Sequence, residues 1–261
     1  MIRSLAIIQF PGSNCEYETQ KAAAYYGLEA SIIRWNCEAS RFHDFDAYML
    51  PGGFSYQDRV RAGVISAKLP IMSLLEQAAE QGKPILGICN GCQILAETGL
   101  VPNVAGSNLI EMSLARNAKA GDMVGFMCDW VYVKIEYPEK NIFTRYFDAS
   151  DIVPIPINHG EGRFLFKEGV ADLIEPLTKV VYCDDQGHVS SDYPVNPNGS
   201  TLNIAALGNQ SGNVLGMMPH PERAAFSKQV PHSFSVSSEG RVEGPWEKLF
   251  TGLKEYEGRL S

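Results

Sequence analysis

The sequence predicts an α/β protein with a mostly parallel central sheet that carries helices on both faces. In the first hundred residues, short apolar runs alternate with segments of helical periodicity. These apolar runs are nearly continuous, as in strands buried on both faces, whereas a half-exposed strand alternates polar and apolar residues. Glycine and proline end the runs, most clearly at Pro51-Gly52-Gly53. Together these observations favour parallel strands joined by helical crossovers.

The periodicity places the predicted elements along the chain. We predict strands at residues 5–9, 30–35, 47–50 and 84–88, and helices at residues 16–26, 61–81 and 90–98. The second half is more β-like, with apolar runs at residues 130–136, 163–166, 180–183, 204–207 and 214–218. Near the end, Trp246, Leu249, Phe250 and Leu253 have the spacing of an amphipathic helix. We predict one domain, 1–261, in which this stripe is core, although it could also cap a partner surface.

Charge and composition exclude several classes of function. The net charge is −8, from 22 Lys and Arg against 30 Asp and Glu, and the basic residues are scattered. Binding of nucleic acid or of a membrane surface needs a concentrated basic surface, so neither is expected. No apolar run approaches the ~20 residues that span a bilayer, and the apolar stretch at the start is too short for a signal peptide. We therefore expect a cytoplasmic protein, whose six cysteines are mostly buried thiols rather than disulfides.

Cys89 is the strongest candidate for a catalytic residue. It lies in Gly87-Ile-Cys-Asn-Gly91, between a predicted strand and a predicted helix. This Gly-x-Cys-x-Gly arrangement is typical of a nucleophile elbow, a sharp turn that presents a side chain above the end of a sheet. The start of the helix favours a thiolate, and the amide of Asn90 is positioned to donate to an oxyanion. The pattern therefore predicts a cysteine nucleophile.

Cys89 and Cys92 also form a Cys-x-x-Cys pair, which has two other interpretations. One is a redox-active pair, but such pairs normally open a thioredoxin-like fold and lack the flanking glycines. The other is half of a zinc site, which needs two more ligands at short spacing. The sequence has no second Cys-x-x-Cys and no His-x-x-x-His. We favour the nucleophile and interpret Cys92 as a packing residue of the helix.

His220 is the best candidate for the base that a cysteine nucleophile needs. It follows a short apolar run, so it lies at a strand end, and Glu222 comes two residues later. Residues i and i+2 of an extended segment face the same way, and Pro221 favours extended geometry at His220. Glu222 can then accept the second imidazole proton and fix the tautomer, as the third member of a triad does. The alternative is a His–Glu pair exposed in a surface loop.

Several motifs taken together resemble those of a known enzyme family. Residues 51–53, 87–93 and 220–222 resemble motifs of the class I glutamine amidotransferases. Five finer motifs resemble, in the same order, those of the glutaminase subunits of phosphoribosylformylglycinamidine synthase: residues 10–15, 51–56 with 61–63, 157–163, 196–200 and 216–224. Each motif alone would be weak evidence for the family, but five motifs in the family's order are strong evidence. The resemblance runs from residue 7 to residue 224 and leaves 225–261 as a family-variable tail.

The resemblance implies a flavodoxin-like fold and a glutaminase mechanism. It implies that the Cys89 thiolate attacks the side-chain amide of glutamine, that His220 is the general acid and base, and that Glu222 orients it. It also implies an oxyanion hole formed by the amides of Gly53 and Asn90. Contacts with glutamine are implied for four further residues: Gly52, Gln93, Asn158 and His159. The sequence without the resemblance leaves a second interpretation equally open, in which residues 51–53 are a turn after a strand and residues 158–162 are a polar loop.

The resemblance also implies a division of labour between subunits. A synthetase subunit, PurL, would bind ATP, magnesium and formylglycinamide ribonucleotide, and a small protein, PurS, would bridge the two subunits in de novo purine biosynthesis. This chain would supply ammonia through an internal path and would need no cofactor and no metal of its own. The sequence has no Gly-x-x-x-x-Gly-Lys-Ser/Thr loop, since Gly82-Lys83 is followed by Pro84.

One position departs from the family pattern, and two other classes of function remain open. The family usually has glycine at position 57, where this sequence has Gln57. Because a side chain disfavours positive φ, the loop can take a different shape here. A thiol hydrolase or redox protein could use Cys89 differently on a similar sheet. A non-catalytic scaffold is the other alternative, although a scaffold has no need for Cys89, His220 and Glu222 together.

Overall fold

The central feature of the protein is a nine-stranded sheet. The computed structural model describes residues 1–119, 122–123, 125–234 and 240–257. Its strands are β1 (Ser4–Gln9), β2 (Glu29–Arg34), β3 (Ala47–Leu50), β4 (Ile85–Ile88), β5 (Met112–Ala115), β6 (Ala118–Lys119), β7 (Asp122–Met123), β8 (Met127–Ile135), β9 (Ile152–His159), β10 (Arg163–Phe166), β11 (Thr178–Cys183), β12 (Ile204–Gly208) and β13 (Val214–Met217). The α-helices are α1 (Glu16–Tyr25), α2 (Ala39–His43), α3 (Ile71–Glu80), α4 (Asn90–Thr98) and α5 (Glu247–Glu255). Within the described ranges, no helix is both long and apolar enough to cross a membrane.

The order of strands in the large sheet is β2-β1-β3-β4-β13-β12-β11-β8-β9. All neighbours from β2 to β13 are parallel. The chain moves from β1 outward to β2 and then returns past β1 to β3. Right-handed crossovers therefore place α1 on one face and α2 and α3 on the other. The predicted α/β fold is confirmed, and its carboxyl edge near this reversal is where ligands bind in such sheets.

The other half of the sheet, from β13 to β9, is antiparallel. β9 is an edge strand with the sequence Ile-Val-Pro-Ile-Pro-Ile-Asn-His. Proline has no N–H for a sheet ladder, and an edge strand tolerates it on the side without a partner strand. On that side the carbonyls of Pro154 and Pro156 accept hydrogen bonds from Trp246 Nε1 (3.1 Å) and from the His220 amide (2.9 Å). The sheet thus curls back and brings β9 to the loop after β13.

The predicted helix over residues 61–81 is wrong in its first half. The chain forms a short 3-10 turn at Ser66–Lys68, and α3 begins only after Pro70. Pro70 explains the difference, because proline disfavours helical geometry in the residue before it. Leu69 is extended, with φ −80° and ψ 150°. The residues that are not helical form a loop beside α4, where Gly63 packs against Gln93.

The other predicted elements are present, with ends that shift by a few residues. β3, α4 and β10 match residue for residue. The structure adds α2, β5, β6, β7 and β9, which were not predicted. The predicted C-terminal helix is confirmed as α5, and its apolar stripe belongs to the core because Trp246, Leu249, Phe250 and Leu253 are all 0% exposed. Parts of the predicted tail, residues 235–239 and 258–261, lie outside the described residues.

Candidate active site

Cys89 occupies the turn between β4 and α4. Its backbone angles, φ 51° and ψ −104°, lie outside the regions that residues with a side chain normally adopt. Such a conformation costs on the order of 1–3 kcal/mol and persists only where the surroundings hold it. Here the Cys89 amide donates to the Met217 carbonyl (2.8 Å), and a Cβ on Gly91 would overlap the Leu50 carbonyl. Glycine is therefore required at position 91 for α4 to begin so close to β3.

His220 and Glu222 form a buried pair in the loop after β13. His220 Nδ1 lies 2.6 Å from Glu222 Oε1, and the two side chains are 2% and 0% exposed. Because a carboxylate accepts hydrogen bonds, Nδ1 is the donor and Nε2 is left for other partners. Burial lowers the pKa of His220, but Glu222 and Cys89 raise it by more, so the pKa stands well above its ordinary value. The burial excludes the alternative of an exposed surface pair.

Cys89 and His220 meet at Gly52. A Cβ on Gly52 would lie 2.8 Å from His220 Cε1 and 3.5 Å from Cys89 Cβ. The Cys89 thiol donates to the Asn158 carbonyl (3.6 Å). Within the described residues His220 Nε2 makes no hydrogen bond of standard geometry, although Cys89 is close enough to raise the pKa of the ring. The structure therefore brings Cys89 close to the ring of His220, which Glu222 holds, and leaves Nε2 without a hydrogen-bond partner among the described residues.

Two backbone amides beside Cys89 have no acceptor in the described part of the chain. They belong to Gly53 and Asn90. The Asn90 amide is free because it begins α4, and the first N–H groups of a helix have no intrahelical acceptor. Gly53, at φ 148°, is held by the segment 10–15, since the Phe54 amide donates to the Gly12 carbonyl (2.8 Å). Both amides suggested by the sequence for an oxyanion hole are thus free donors.

A cleft lies beside Cys89. It is lined from the loop after β3 by Gly53, Phe54 and Asp58, and from the end of β9 by Asn158, His159 and Glu161. Gln93 completes the wall, where its Nε2 donates to the Glu161 carbonyl (2.7 Å) and its Oε1 accepts from Asn90 Nδ2 (2.9 Å). Gln93, Asn158 and His159 therefore lie on the cleft. Gly52 lies behind it, packed against the ring of His220.

Sequence reasoning missed two carboxylates of the cleft wall, Asp58 and Glu161. Asp58 belongs to a short segment in which Tyr56, Gln57 and Asp58 all have positive φ, at 53°, 61° and 51°. Gln57 thus adopts the conformation that its side chain disfavours. Burial, with a contribution from the charge of Glu161, raises the pKa of Asp58 to about 6. The sequence signal for Asp58 is its position two residues after the strand-end motif at residues 51–56.

Cys15 is a second thiol beside the base, and the sequence offered it only as part of a motif. Its Sγ would lie 3.0 Å from a Cβ on Gly52, and it accepts a hydrogen bond from Arg223 Nη2 (3.2 Å). Burial raises the pKa of Cys15 to about 11, although the neighbouring His220 and Arg223 oppose that rise. The thiol is therefore neutral at physiological pH. Cys15 lies shortly after β1, and β1 is the neighbour of β3 in the sheet. This position at a strand end is the sequence feature that could have indicated Cys15.

Cys92 packs in the core and does not line the cleft. It is 0% exposed inside α4 and packs on Gly216, where a Cβ would lie 2.9 Å from its Sγ. Burial raises its pKa well above the ordinary value of a thiol, which keeps it protonated and inert. The structure supports the interpretation of Cys92 as a packing residue.

One group of potential metal-binding residues exists in the described part of the chain. Cys15, His220 and Glu222 each offer an atom, and these atoms lie within 4.8 Å of one another. These three residues already make two hydrogen bonds: Glu222 accepts from His220, and Cys15 accepts from Arg223. A metal would have to compete for Cys15 Sγ with the Arg223 guanidinium, which donates to it. The group therefore fits proton transfer better than metal binding, and it does not include the Cys89–Cys92 pair.

Comparison with known proteins identifies the family. The model of the CobB/CobQ-like glutamine amidotransferase domain matches residues 3–257. Phosphoribosylformylglycinamidine synthase subunit PurQ of Methanothrix thermoacetophila is 44% identical over 262 residues, which cover 97% of this chain and 97% of that protein. The PurQ subunit of Pyrococcus furiosus is 38% identical over 251 residues, covering 96% of this chain and 97% of the other.

A solved structure agrees with these relatives. A chain in the structure of PurLQS from Thermotoga maritima superposes with a TM-score of 0.75 at 31% identity, covering 98% of this chain and 99% of that one. The glutaminase domain of Trypanosoma brucei CTPS, at 13% identity and a TM-score of 0.56, shares the fold. By extent and identity, the chain belongs to the family of CobB/CobQ-like glutamine amidotransferase domains, among relatives that are PurQ subunits of phosphoribosylformylglycinamidine synthase.

Proposed function

We propose that this chain is the glutaminase subunit of phosphoribosylformylglycinamidine synthase and that it hydrolyses glutamine to glutamate and ammonia. The observation that carries the proposal is the buried 2.6 Å contact between His220 and Glu222, next to a cysteine held in a strained turn. Such a pair is a base with a fixed tautomer, and such a turn presents a nucleophile at a sheet edge. The names of the curated relatives support the same activity.

In the first half of the reaction, Cys89 takes the glutamyl group. The raised pKa of His220 favours transfer of the thiol proton to Nε2, and Sγ then attacks the side-chain carbonyl carbon of glutamine. The carbonyl oxygen becomes an oxyanion, for which the amides of Gly53 and Asn90 are free donors; one such donor typically contributes about 10²–10³-fold to kcat. His220 returns the proton to the leaving nitrogen. Ammonia departs, and a glutamyl thioester remains.

In the second half, water releases the glutamyl group. His220 Nε2 removes a proton from water as the water oxygen attacks the thioester carbonyl, and the oxyanion forms at the same two amides. When this intermediate collapses, the bond to Sγ breaks, glutamate leaves, and the proton returns to Cys89. Glu222 stabilises the imidazolium of His220 in both halves. The sum of the two halves is glutamine plus water giving glutamate plus ammonia.

We further propose that a PurL-type synthetase uses the ammonia to amidate formylglycinamide ribonucleotide, and that a PurS-type protein bridges the two subunits. The relative found in the PurLQS structure supports this assembly. ATP and magnesium belong to the synthetase in this proposal, because the steps above use only side chains and amides of this chain. All six cysteines are free thiols, which supports a reducing compartment and hence the cytoplasm.

An electrophile that mimics glutamine tests the proposal. Diazo-oxo-norleucine carries a diazo ketone where glutamine has its carboxamide, so it alkylates the thiol that faces the bound side chain. In the assembled complex, peptide mapping should find the label on Cys89, and excess glutamine should prevent labelling. The exposed Cys128 is the internal control for non-specific alkylation. Label on Cys128 but none on Cys89, or label on Cys89 that glutamine does not prevent, would count against the proposal.

We also expect the isolated chain to be a poor glutaminase until it docks on its synthetase. Three consecutive residues, Tyr56 to Asp58, have positive φ in the loop that supplies Asp58 to the cleft wall, and such strain is common in segments that switch conformation. Glutamine turnover by the purified chain should therefore rise when the synthetase is added. Rapid turnover by the chain alone, unchanged by the synthetase, would contradict this expectation.

A further inference from the structure

The two amides suggested for the oxyanion hole come from separate elements, and one side chain joins those elements. Gly53 lies in the loop after β3, whereas Asn90 begins α4. Asn90 is 1% exposed, and its Oδ1 accepts a hydrogen bond from the amide of Ser55 (3.1 Å), two residues beyond Gly53. The Asn90 side chain therefore ties the loop that carries one oxyanion donor to the helix that carries the other.

The orientation of the Asn90 amide group is fixed by its neighbours. Because the Ser55 N–H can only donate, the atom that faces it must be the oxygen. The nitrogen, Nδ2, donates to Gln93 Oε1 (2.9 Å), and Gln93 Nε2 in turn donates to the Glu161 carbonyl (2.7 Å). Since Nδ2 carries two hydrogens, one remains for a second acceptor.

The second acceptor is the carboxylate of Asp58. Asp58 Oδ1 lies 3.4 Å from Asn90 Nδ2, at the end of three consecutive residues with positive φ in the same loop as Ser55. The neighbouring Arg59 directs its guanidinium to Gln57 Oε1 (3.1 Å). A hydrogen bond to an ionised carboxylate is about twice as strong as one to a neutral oxygen. We call Ser55, Asp58 and the Asn90 side chain the loop clamp.

We propose that Asp58 is a positioning residue: its ionised carboxylate holds the Asn90 side chain, and the loop clamp thereby sets the spacing between the amides of Gly53 and Asn90. The inference rests on the proposed glutaminase function. In this role Asp58 acts through Asn90 and makes no contact with glutamine. Because the oxyanion forms only during the reaction, loss of the clamp slows turnover without weakening the binding of glutamine.

The protonation state of Asp58 decides how firmly the clamp holds. Burial, together with the charge of Glu161, raises the pKa of Asp58 to about 6, so the carboxylate forms as pH rises through this value. Three titratable groups share the cleft with it: Cys89 before α4, His159 on β9 and Glu161 after β9. His159 stays neutral, because burial lowers its pKa to about 3, and Glu161 lies 3.9 Å from Arg116.

Substitutions at Asp58 in the assembled complex with the synthetase test this role. Asp58→Gly tolerates the positive φ and removes the acceptor. It should lower kcat by about 10- to 100-fold, since a misplacement near 1 Å can cost about 10²-fold in rate, and leave the KM for glutamine unchanged. Asp58→Asn keeps an acceptor oxygen and should lose less. Asp185→Gly and Asp185→Asn, at an exposed carboxylate outside the cleft lining, are the controls and should leave both constants unchanged.

The pH dependence is a measurement that a purely structural role would not affect. The ratio of the wild-type kcat to the Asp58→Asn kcat cancels the titration of groups that both complexes share. This ratio should be largest above about pH 7 and should fall as pH drops through about 6, where the wild-type carboxylate takes up a proton. A ratio that is constant between about pH 5 and pH 8 would overturn the inference.

A double substitution tests whether Asp58 acts through Asn90. Asn90→Ala removes the side chain, keeps the backbone amide, and should lower kcat by about 10²-fold. In the Asn90→Ala background, Asp58→Gly should change kcat by less than about threefold, because the contact between the two side chains is already lost. If the two losses simply multiply, Asp58 does not act through Asn90 and the inference is overturned.

The remaining outcomes separate this inference from the proposed function. If the wild-type complex releases no ammonia from glutamine, the proposed function fails. If it does, and Asp58→Gly keeps kcat within about twofold of wild type, the inference alone is overturned. In a Cys89→Ala complex, which cannot turn over, Asp58→Gly should leave the affinity for glutamine unchanged. A weakened affinity that accounts for the whole loss in kcat/KM would also overturn the inference, because Asp58 would then be a contact of the substrate.

Discussion

His220 Nδ1 and Glu222 Oε1 lie 2.6 Å apart, and both side chains are almost completely buried. The short spacing follows from the local sequence, since Pro221 keeps His220 extended. The burial does not follow from it. It arises because β9 curls over the loop and the Pro156 carbonyl accepts the His220 amide (2.9 Å). A local pair is thereby turned into a base shielded from water.

Replacing Glu222 with Gln should lower the pKa of His220 and remove most of the glutamine-dependent activity. Burial alone lowers this pKa, and Glu222 is the leading group that raises it. Without that charge, the pKa should fall below its ordinary value of about 6.5, and kcat/KM should fall by roughly 10²–10⁴-fold. An NMR titration of the His220 ring measures the shift. An unchanged pKa in the variant would show that Glu222 does not set it.

The same pair predicts a pH dependence of stability with a definite sign. The pKa of His220 is raised in the folded state, so the folded protein holds the proton more tightly than the unfolded chain. The stabilisation is fully present below about pH 6.5 and is lost as pH rises through the raised pKa. Urea unfolding of the wild type and of Glu222→Gln should give free energies of unfolding whose difference shrinks towards alkaline pH. A difference that grows with pH would contradict the assignment.

Gly52→Ala should inactivate the enzyme without unfolding it. The added Cβ would lie 2.8 Å from His220 Cε1, well inside the van der Waals distance of about 3.5–4.0 Å. The ring must then move, and a displacement near 1 Å typically costs about 10²-fold in rate. The control is Gly82→Ala, where an added Cβ meets nothing within 4 Å. The positive φ there strains the variant by about 1–2 kcal/mol, so it should lose stability but keep kcat. A Gly52→Ala variant with wild-type kcat would argue against a fixed base.

Trp246 should contribute to stability rather than to partner binding. It is completely buried, and its Nε1 donates to the Pro154 carbonyl on β9 (3.1 Å). Trp246→Ala should lower the free energy of unfolding by about 3–5 kcal/mol. Trp246→Phe keeps much of the volume and loses the hydrogen bond, so it should cost about 1 kcal/mol, or more because the carbonyl is left unpaired. Chemical denaturation measures both. Normal stability with lost synthetase binding would make the tail a docking surface instead.

The parallel half of the sheet could be predicted because each of its strands carries a local signal. β4 and β13 are continuous apolar runs, and the residues that follow them, Cys89 and His220, must meet at one edge once the strands are neighbours. The short strand-to-helix turn at Cys89 could also be predicted locally, because Gly87 and Gly91 flank the cysteine. This is why the nucleophile and its base could be found from the sequence.

The rest of the site could not be predicted because its partners are distant in sequence. β9 was missed since two prolines argue against a strand, and only the sheet order shows that it is an edge that tolerates them. Asn117 holds the loop after β9 through hydrogen bonds with residues 159 and 162, more than forty positions away. Cys15 reaches the base only because β1 lies next to β3. Such relationships depend on strand order and curvature, which local patterns do not encode.

The central claim is that Cys89 makes ammonia that a separate synthetase consumes, and the Cys89→Ala complex tests it most directly. Synthesis of phosphoribosylformylglycinamidine is measured with glutamine and, separately, with an ammonium salt as nitrogen donor. Cys89 takes part only in the release of ammonia from glutamine, a step that an ammonium salt bypasses. Glutamine-dependent synthesis should therefore vanish, while ammonium-dependent synthesis continues at the wild-type rate. Glutamine-dependent synthesis that survives the substitution, or loss of both activities in a complex that still assembles, would contradict the account.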